Sequence, residues 1–214
     1  MSTVVVVDYG MGNLRSVVKA LEHVATKSSV LLSHDPDVVA KADHVVFPGQ
    51  GAIAGCISAL DASGLRQALL EAITSKPFLG ICLGLQALYN FSEEGGGVDC
   101  LAVFPGQTRR FPENMKDADG QLLKIPHMGW NQVRQTRNHP LWQGIAQDAR
   151  FYFVHSYYVE SADPAIVAGT TDFGLTFTSA AGRDNVFAAQ FHPEKSQHAG
   201  LKLLENFVRW DGQE

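Results

Sequence analysis

Cysteine is scarce in this chain: Cys56, Cys82 and Cys100 are the only three in 214 residues, an odd set with no close pair. That argues against a disulfide framework and the paired spacing of a zinc site, and it suits a reducing compartment such as the cytoplasm. Positive charge is short as well, with 17 lysines and arginines against 22 acidic residues and a net charge of −5. A surface that tracks nucleic-acid phosphates is not expected from that balance. No uncharged apolar run approaches the roughly 20 residues that a membrane span needs. The N-terminus runs almost directly into Val4–Val7 and then Asp8, too short an apolar region for a signal peptide. Linkers and repeats are also missing, so residues 1–214 are expected to form one domain. What is present is 45% apolar and 18% charged, the balance of a globular protein with a core of its own.

The first half alternates strand and helix signals. Val4–Val7 is β-branched throughout, as a central parallel strand with both faces covered would be. Leu14, Val17, Val18, Leu21 and Val24 repeat at helical spacing. Val30–Leu32 reads as a strand before an Asp35-Pro36 turn, and His44–Phe47 as another that ends in Pro48-Gly49-Gln50-Gly51. Helical patterns cover Ile53–Leu60 and Leu65–Ile73, and Pro77 opens a fourth strand. This order predicts a mostly parallel sheet flanked by helices, with chemistry beyond the strands' carboxyl ends. From about Leu101 to Ala180, short strand-like runs predict an added antiparallel layer. Those runs are Leu122–Ile125, Asn131–Val133, Phe151–Val154, Ile166–Ala168 and Leu175–Thr178. A last strand at Val186–Phe191 precedes a closing helix with Leu201, Leu204, Phe207 and Val208 on one face.

Phe78-Leu79-Gly80-Ile81-Cys82-Leu83-Gly84 is the stretch around which the chain is organised. A strand that turns into a helix between two glycines puts its tip residue on a sharp elbow, here a thiol. The helix behind it would aim free N–H groups at the sulfur and at a developing oxyanion. A buried cysteine on a softened turn is the other reading of the same residues. His192 and Glu194 stand at i and i+2 after the last strand, so in extended backbone an imidazole and a carboxylate would lie side by side. A thiol nucleophile needs such a base and an acid to orient it. A solvated turn would also account for His-Pro-Glu. Asp8-Tyr9-Gly10-Met11-Gly12-Asn13 holds G-x-G but lacks the third glycine of a dinucleotide site. His127 and His155 do not stand at metal-ligand spacing and read as core or loop histidines, and Cys56 and Cys100 as inert small residues. No metal or cofactor is expected.

Gly80-Ile81-Cys82-Leu83-Gly84-Leu85-Gln86 with Gln190-Phe191-His192-Pro193-Glu194 resembles the class I glutamine amidotransferases. Four further stretches resemble the glutaminase subunits of imidazole glycerol phosphate synthases within that class: 8–13, 48–51, 126–131 and 152–158, with Lys195-Ser196 completing the set. The resemblance covers essentially the whole chain. It implies a Cys82–His192–Glu194 triad that splits ammonia from glutamine through a thioester. It also implies oxyanion donors in the backbone of Leu83 and of the Gly49–Gln50 peptide. Gln50 stands where the family usually has a small aliphatic residue. Contacts to glutamine are implied for Gly49, Gln86, Glu94, Ser156 and Tyr157, although Glu94 also fits a solvated acidic loop. The implied partner is a cyclase subunit with a (β/α)8-barrel fold, forming a heterodimer and using the ammonia in histidine biosynthesis. Met11, Asn13, Trp130, Tyr152 and Lys195 are the interface candidates; Trp130 could equally be a core aromatic, Asn13 a helix cap and Lys195 a solvated charge. The alternatives are a glutaminase with another acceptor protein, or a catalytically silent interaction subunit.

Overall fold

A strand built of valines has no polar face to offer to water, so both its faces must be covered. β1 (Ser2–Val7) meets that demand inside a sheet. The computed structural model describes residues 2–117 and 119–213. After β1 come α1 (Leu14–Val24), β2 (Ser28–Ser33), α2 (Pro36–Lys41), β3 (His44–Gly49), α3 (Ile53–Ser63), α4 (Leu65–Ile73), β4 (Phe78–Cys82) and α5 (Leu83–Ala87). β2, β1, β3 and β4 pair in parallel in that order across the sheet. Val4 and Val6 share one core with Val17 and Leu21 of α1, whereas Val5 and Val7 share the other with Ile53, Leu60 and Leu69 of α3 and α4. The elbow straddles these cores: Cys82 belongs to the first and Leu83 to the second.

The second half begins with β5 (Tyr89–Ser92), β6 (Val98–Asp99), β7 (Phe104–Arg110), β8 (His127–Gln132), β9 (Arg134–Gln135) and β10 (Arg150–His155). It continues with β11 (Tyr157–Ser161), β12 (Val167–Asp172), β13 (Thr176–Arg183), β14 (Val186–Ala189) and α6 (Gln197–Arg209). β14 returns to lie parallel to β4, completing a five-stranded parallel block. The antiparallel strands carry the same sheet outward through β13, β11 and β7, while β8 and β10 form a separate pair. The expected class is therefore the observed one, with most of the antiparallel addition continuous with the parallel sheet. α6 buries Leu203, Leu204 and Phe207 beside α1. Burial of side chains of this size contributes about 1.5–3 kcal/mol each.

Several local expectations need correction. Leu122–Ile125 is not a strand: Leu122 makes one isolated bridge to Lys116 and is 63% exposed. Asp117 instead accepts the backbone N–H groups of Asp119 and Gln121, which bends the chain back on itself. Asp35-Pro36 is not only a turn but the start of α2, with the Asp35 carboxylate accepting the Asp37 N–H at 2.9 Å. Asn131 and Gln132 end β8 with Val133 just beyond it, and Ile166 closes a short 3-10 turn before Val167 and Ala168 open β12. In α6, Leu203 takes the fully buried place, with Leu201 and Val208 half-buried beside it. The Asn13 side chain makes no cap hydrogen bond to α1. Among the described residues, no helix is long and apolar enough to cross a membrane.

The close approach of α5 to β3 depends on Gly84, because a Cβ there would lie 2.0 Å from the Phe47 carbonyl oxygen. Backbone cannot step aside as a side-chain tip can. Gly84→Ala is therefore expected to lower stability by roughly 2 kcal/mol, read from urea denaturation. An unchanged midpoint would show that this contact is not as tight as described.

Candidate active site

Three carboxyl ends meet at one sheet edge. β3 ends at Gly49 and β4 at Cys82, and the register pairs these two residues directly. β14 pairs Ala189 with Ile81, so the chain leaving it delivers Gln190 and His192 to the same edge. Cys82 itself sits at φ 54, ψ −105, a left-handed conformation that an L side chain rarely adopts. The strain falls on the nucleophile candidate rather than on the flanking glycines. Gly80 and Gly84 serve instead as points of close approach, Gly80 against Ala188 and the Gly84 carbonyl, Gly84 against Phe47.

His192 and Glu194 do meet, but through a 3-10 turn (Pro193–Lys195) rather than extended backbone. His192 Nδ1 lies 2.8 Å from Glu194 Oε1, with both side chains almost fully buried. Ser196 locks this turn in place: its hydroxyl donates to the His192 carbonyl at 2.6 Å and accepts the Tyr152 N–H at 2.9 Å. The His192 N–H in turn donates to the Tyr152 carbonyl, tying the turn to β10. Burial alone would lower the imidazole's pKa. Cys82 and the Glu194 carboxylate outweigh it and hold the pKa up to about 10. Nε2 is buried and has no hydrogen-bond partner of ordinary geometry. At neutral pH the ring is cationic.

A cavity of about 620 Å³ opens beside the sulfur. Gln50, Cys82, Leu83, Gln86, Glu94, Ser156, Tyr157 and His192 all line it, so the expected nucleophile, base and substrate contacts are brought together. Gly49 forms the strand end behind it, where a Cβ would fall 2.2 Å from the Tyr9 hydroxyl and 2.9 Å from Leu83 Cβ. Glu94 is not a free surface acid: its Oε2 accepts the Ile53 N–H at 2.8 Å, capping α3 from the cavity wall. Met11 also lines the cavity, whereas Asn13 is exposed and lines a separate small pocket with Gln50 and His192. The remaining interface candidates cluster. Trp130, 41% exposed and so not a core residue, meets Tyr152 edge to face at 6.2 Å, and Lys195 Nζ lies 5.9 Å from the Tyr152 ring. Met128, 62% exposed, stands on the same strand. Among the described residues, no three His, Cys, Asp or Glu side chains converge as a metal site would require.

Sequence reasoning passed over Gln190. It is fully buried, donates from Nε2 to the Cys82 sulfur at 3.6 Å, and accepts from Gln86 Nε2 at 3.0 Å. Its spacing carried the signal, since residues two apart at a strand end share a face and His192 had already been placed on it.

The matches to known proteins agree with this geometry. The family model for "Glutamine amidotransferase class-I" matches residues 5–210. A chain from Nitrosospira multiformis named imidazole glycerol phosphate synthase subunit HisH is 58% identical over 98% of this chain and 99% of its own. The protein of the same name from Dechloromonas aromatica is 60% identical over 97% of this chain and 96% of its own. Among solved structures, a putative GMP synthase subunit from Thermoplasma acidophilum superposes with a TM-score of 0.69 at 19% identity, over 98% of this chain and 93% of that one. A structure described as a glutamine amidotransferase gives 0.70 at 15%, over 96% and 97%. These two show the fold alone. With the family model spanning nearly every residue and the HisH relatives alike from end to end, this chain belongs to the class I glutamine amidotransferases, within their HisH group.

Proposed function

We propose that this chain is the glutaminase subunit of an imidazole glycerol phosphate synthase, with Cys82 as nucleophile. The meeting of the Cys82 sulfur, a cationic His192 and Glu194 beside one cavity carries this reading. The sulfur, its proton held by His192, attacks the side-chain amide carbon of glutamine. Negative charge develops on the amide oxygen, with Leu83 N–H as one donor and the Gly49–Gln50 peptide as the other. His192 then gives its proton to the departing nitrogen, the C–N bond breaks, and ammonia leaves a γ-glutamyl thioester. The imidazole, now neutral, takes a proton from water, whose oxygen attacks the thioester and releases glutamate. Glu194 orients the ring throughout. Glu94, held by the end of α3, and the Ser156–Tyr157 backbone receive the amino-acid end of the substrate.

Free ammonia near pH 7 is mostly protonated and no longer nucleophilic, which is the physical reason for handing it directly to a docked partner. The relatives named above are subunits of imidazole glycerol phosphate synthase. For this chain the partner is a (β/α)8-barrel cyclase, seated over Met11, Asn13, Trp130, Tyr152 and Lys195, in the cytoplasm. Aromatic side chains such as Trp130 and Tyr152 are the usual anchors of an interface.

Ammonia release from glutamine, measured with and without the cyclase and its ligand, tests the reading. Stimulation by the loaded partner is expected, and Cys82→Ala should lower hydrolysis by roughly 10⁴-fold or more while still binding the partner. Normal turnover in that variant would end the assignment. Trp130→Ala is expected to weaken the complex by about ten-fold or more in a titration, since a central aromatic anchor is lost. Because the raised pKa of His192 keeps its proton through neutrality, the alkaline limb of kcat/KM should fall only as pH climbs through about 10. A limb in the ordinary histidine range would show that His192 is not held by the sulfur.

A further inference from the structure

His127 and His155 are both buried, and a line of hydrogen bonds runs through them to the sulfur. Asn131 Nδ2 lies 3.2 Å from His127 Nε2; His127 Nδ1 lies 2.9 Å from His155 Nε2; His155 Nδ1 lies 2.7 Å from the Tyr157 carbonyl oxygen. That oxygen also accepts from Gln86 Nε2 at 3.1 Å, and Gln86 leads through Gln190 to Cys82. The protons in this line are fixed from both ends independently. A carbonyl can only accept, so His155 must carry its proton on Nδ1, leaving Nε2 bare. His127 must then donate from Nδ1 and leave its own Nε2 bare. From the other end, Asn131 Oδ1 accepts the Gln132 N–H and Nδ2 donates to the Asp172 carbonyl, so its amide is oriented to donate to His127 Nε2. The two assignments agree.

We propose that His127 and His155 are positioning residues of the glutamine pocket, acting as a neutral one-directional relay that fixes the Tyr157 carbonyl and, through it, the Gln86 amide. Both hydrogens of Gln86 Nε2 are committed, one to Tyr157 and one to Gln190, so Gln86 offers its oxygen alone to a ligand. The pocket thereby reads a hydrogen-bond donor at that point, such as the ammonium or carboxamide N–H of glutamine. Burial keeps both rings neutral, lowering His127 to about 4 and His155 to about 3. The site supports this apolar treatment: His127 stacks on Phe153 at 4.8 Å and on Phe173 at 4.1 Å. This inference rests on the glutaminase reading of the cavity.

Labelling of Cys82 in the full chain by a chloroketone analogue of glutamine, followed by intact mass, separates binding (KI) from reaction (kinact). His127→Phe keeps the ring stack but removes the donor to His155. It is expected to raise KI about ten-fold, the equivalent of one hydrogen bond, with kinact within roughly three-fold. His127→Asn keeps an N–H near the Nδ1 position while spoiling the stack, so KI should stay within about three-fold of wild type despite a lower Tm. A merely structural role predicts the opposite ranking. Unchanged KI in His127→Phe, or a larger KI in His127→Asn, would overturn the proposal. Should either variant not fold, imidazole nitrogen spectra of the wild type decide it: a proton on Nε2 of either ring at pH 7 overturns the relay. Wild-type protein left unlabelled at Cys82 would instead sink the glutaminase reading, and the spectra would still judge the relay.

Discussion

The active edge depends on a backbone conformation that its own residue disfavours. Cys82 at φ 54 costs on the order of 1–3 kcal/mol relative to a relaxed residue, and it persists only because its surroundings leave no alternative. The strand behind it is paired on both sides, to β3 and to β14. The turn ahead of it is pinned where Gly84 meets the Phe47 carbonyl. A relaxed cysteine would carry its sulfur away from His192, and the imidazole would lose a neighbour that helps hold its pKa up. Strain, packing and proton affinity are thus linked through one residue.

The electrostatics around that point separate two kinds of histidine. His192 is buried but faces a sulfur and a carboxylate, and it keeps a positive charge. His155 and His127 are buried among aromatic rings and each other, and they stay neutral. The same desolvation acts on all three; only the neighbours differ. One ring is thereby fitted to move a proton, and the others to hold a fixed pattern of donors and acceptors.

The parallel half of the fold was legible because its strands are short apolar runs between helical periods, and because glycine and proline mark the turns. The elbow and His-Pro-Glu were legible for the same reason: each ends such a run. β7 was not among the expected strands, since Pro105 and Gly106 interrupt its pattern, whereas Gly106 is where the backbone of β11 comes close, with the Glu160 carbonyl 2.3 Å from where a Cβ would be. Leu122–Ile125 was misread because apolar alternation says nothing about whether a partner strand is present. Trp130 resisted assignment for a related reason, since composition does not reveal exposure. The contacts between Gln86, Gln190 and Tyr157 join residues far apart in sequence, and no local pattern encodes which polar groups such folding will bring together. His127 and His155 were read correctly as satisfied core histidines; their joint direction could be found only in coordinates.

At the elbow the two cores described above meet across the Cys82–Leu83 peptide bond, with Cys82 anchored in the layer of α1 and α6 and Leu83 in that of α3 and α4. Every repacking of either layer, however distant from the cavity, changes the offset between nucleophile and oxyanion donor. A lineage adapting its interior to a new growth temperature would therefore be retuning its chemistry at the same time, and substitutions on the two sides of the sheet are expected to compensate one another across it.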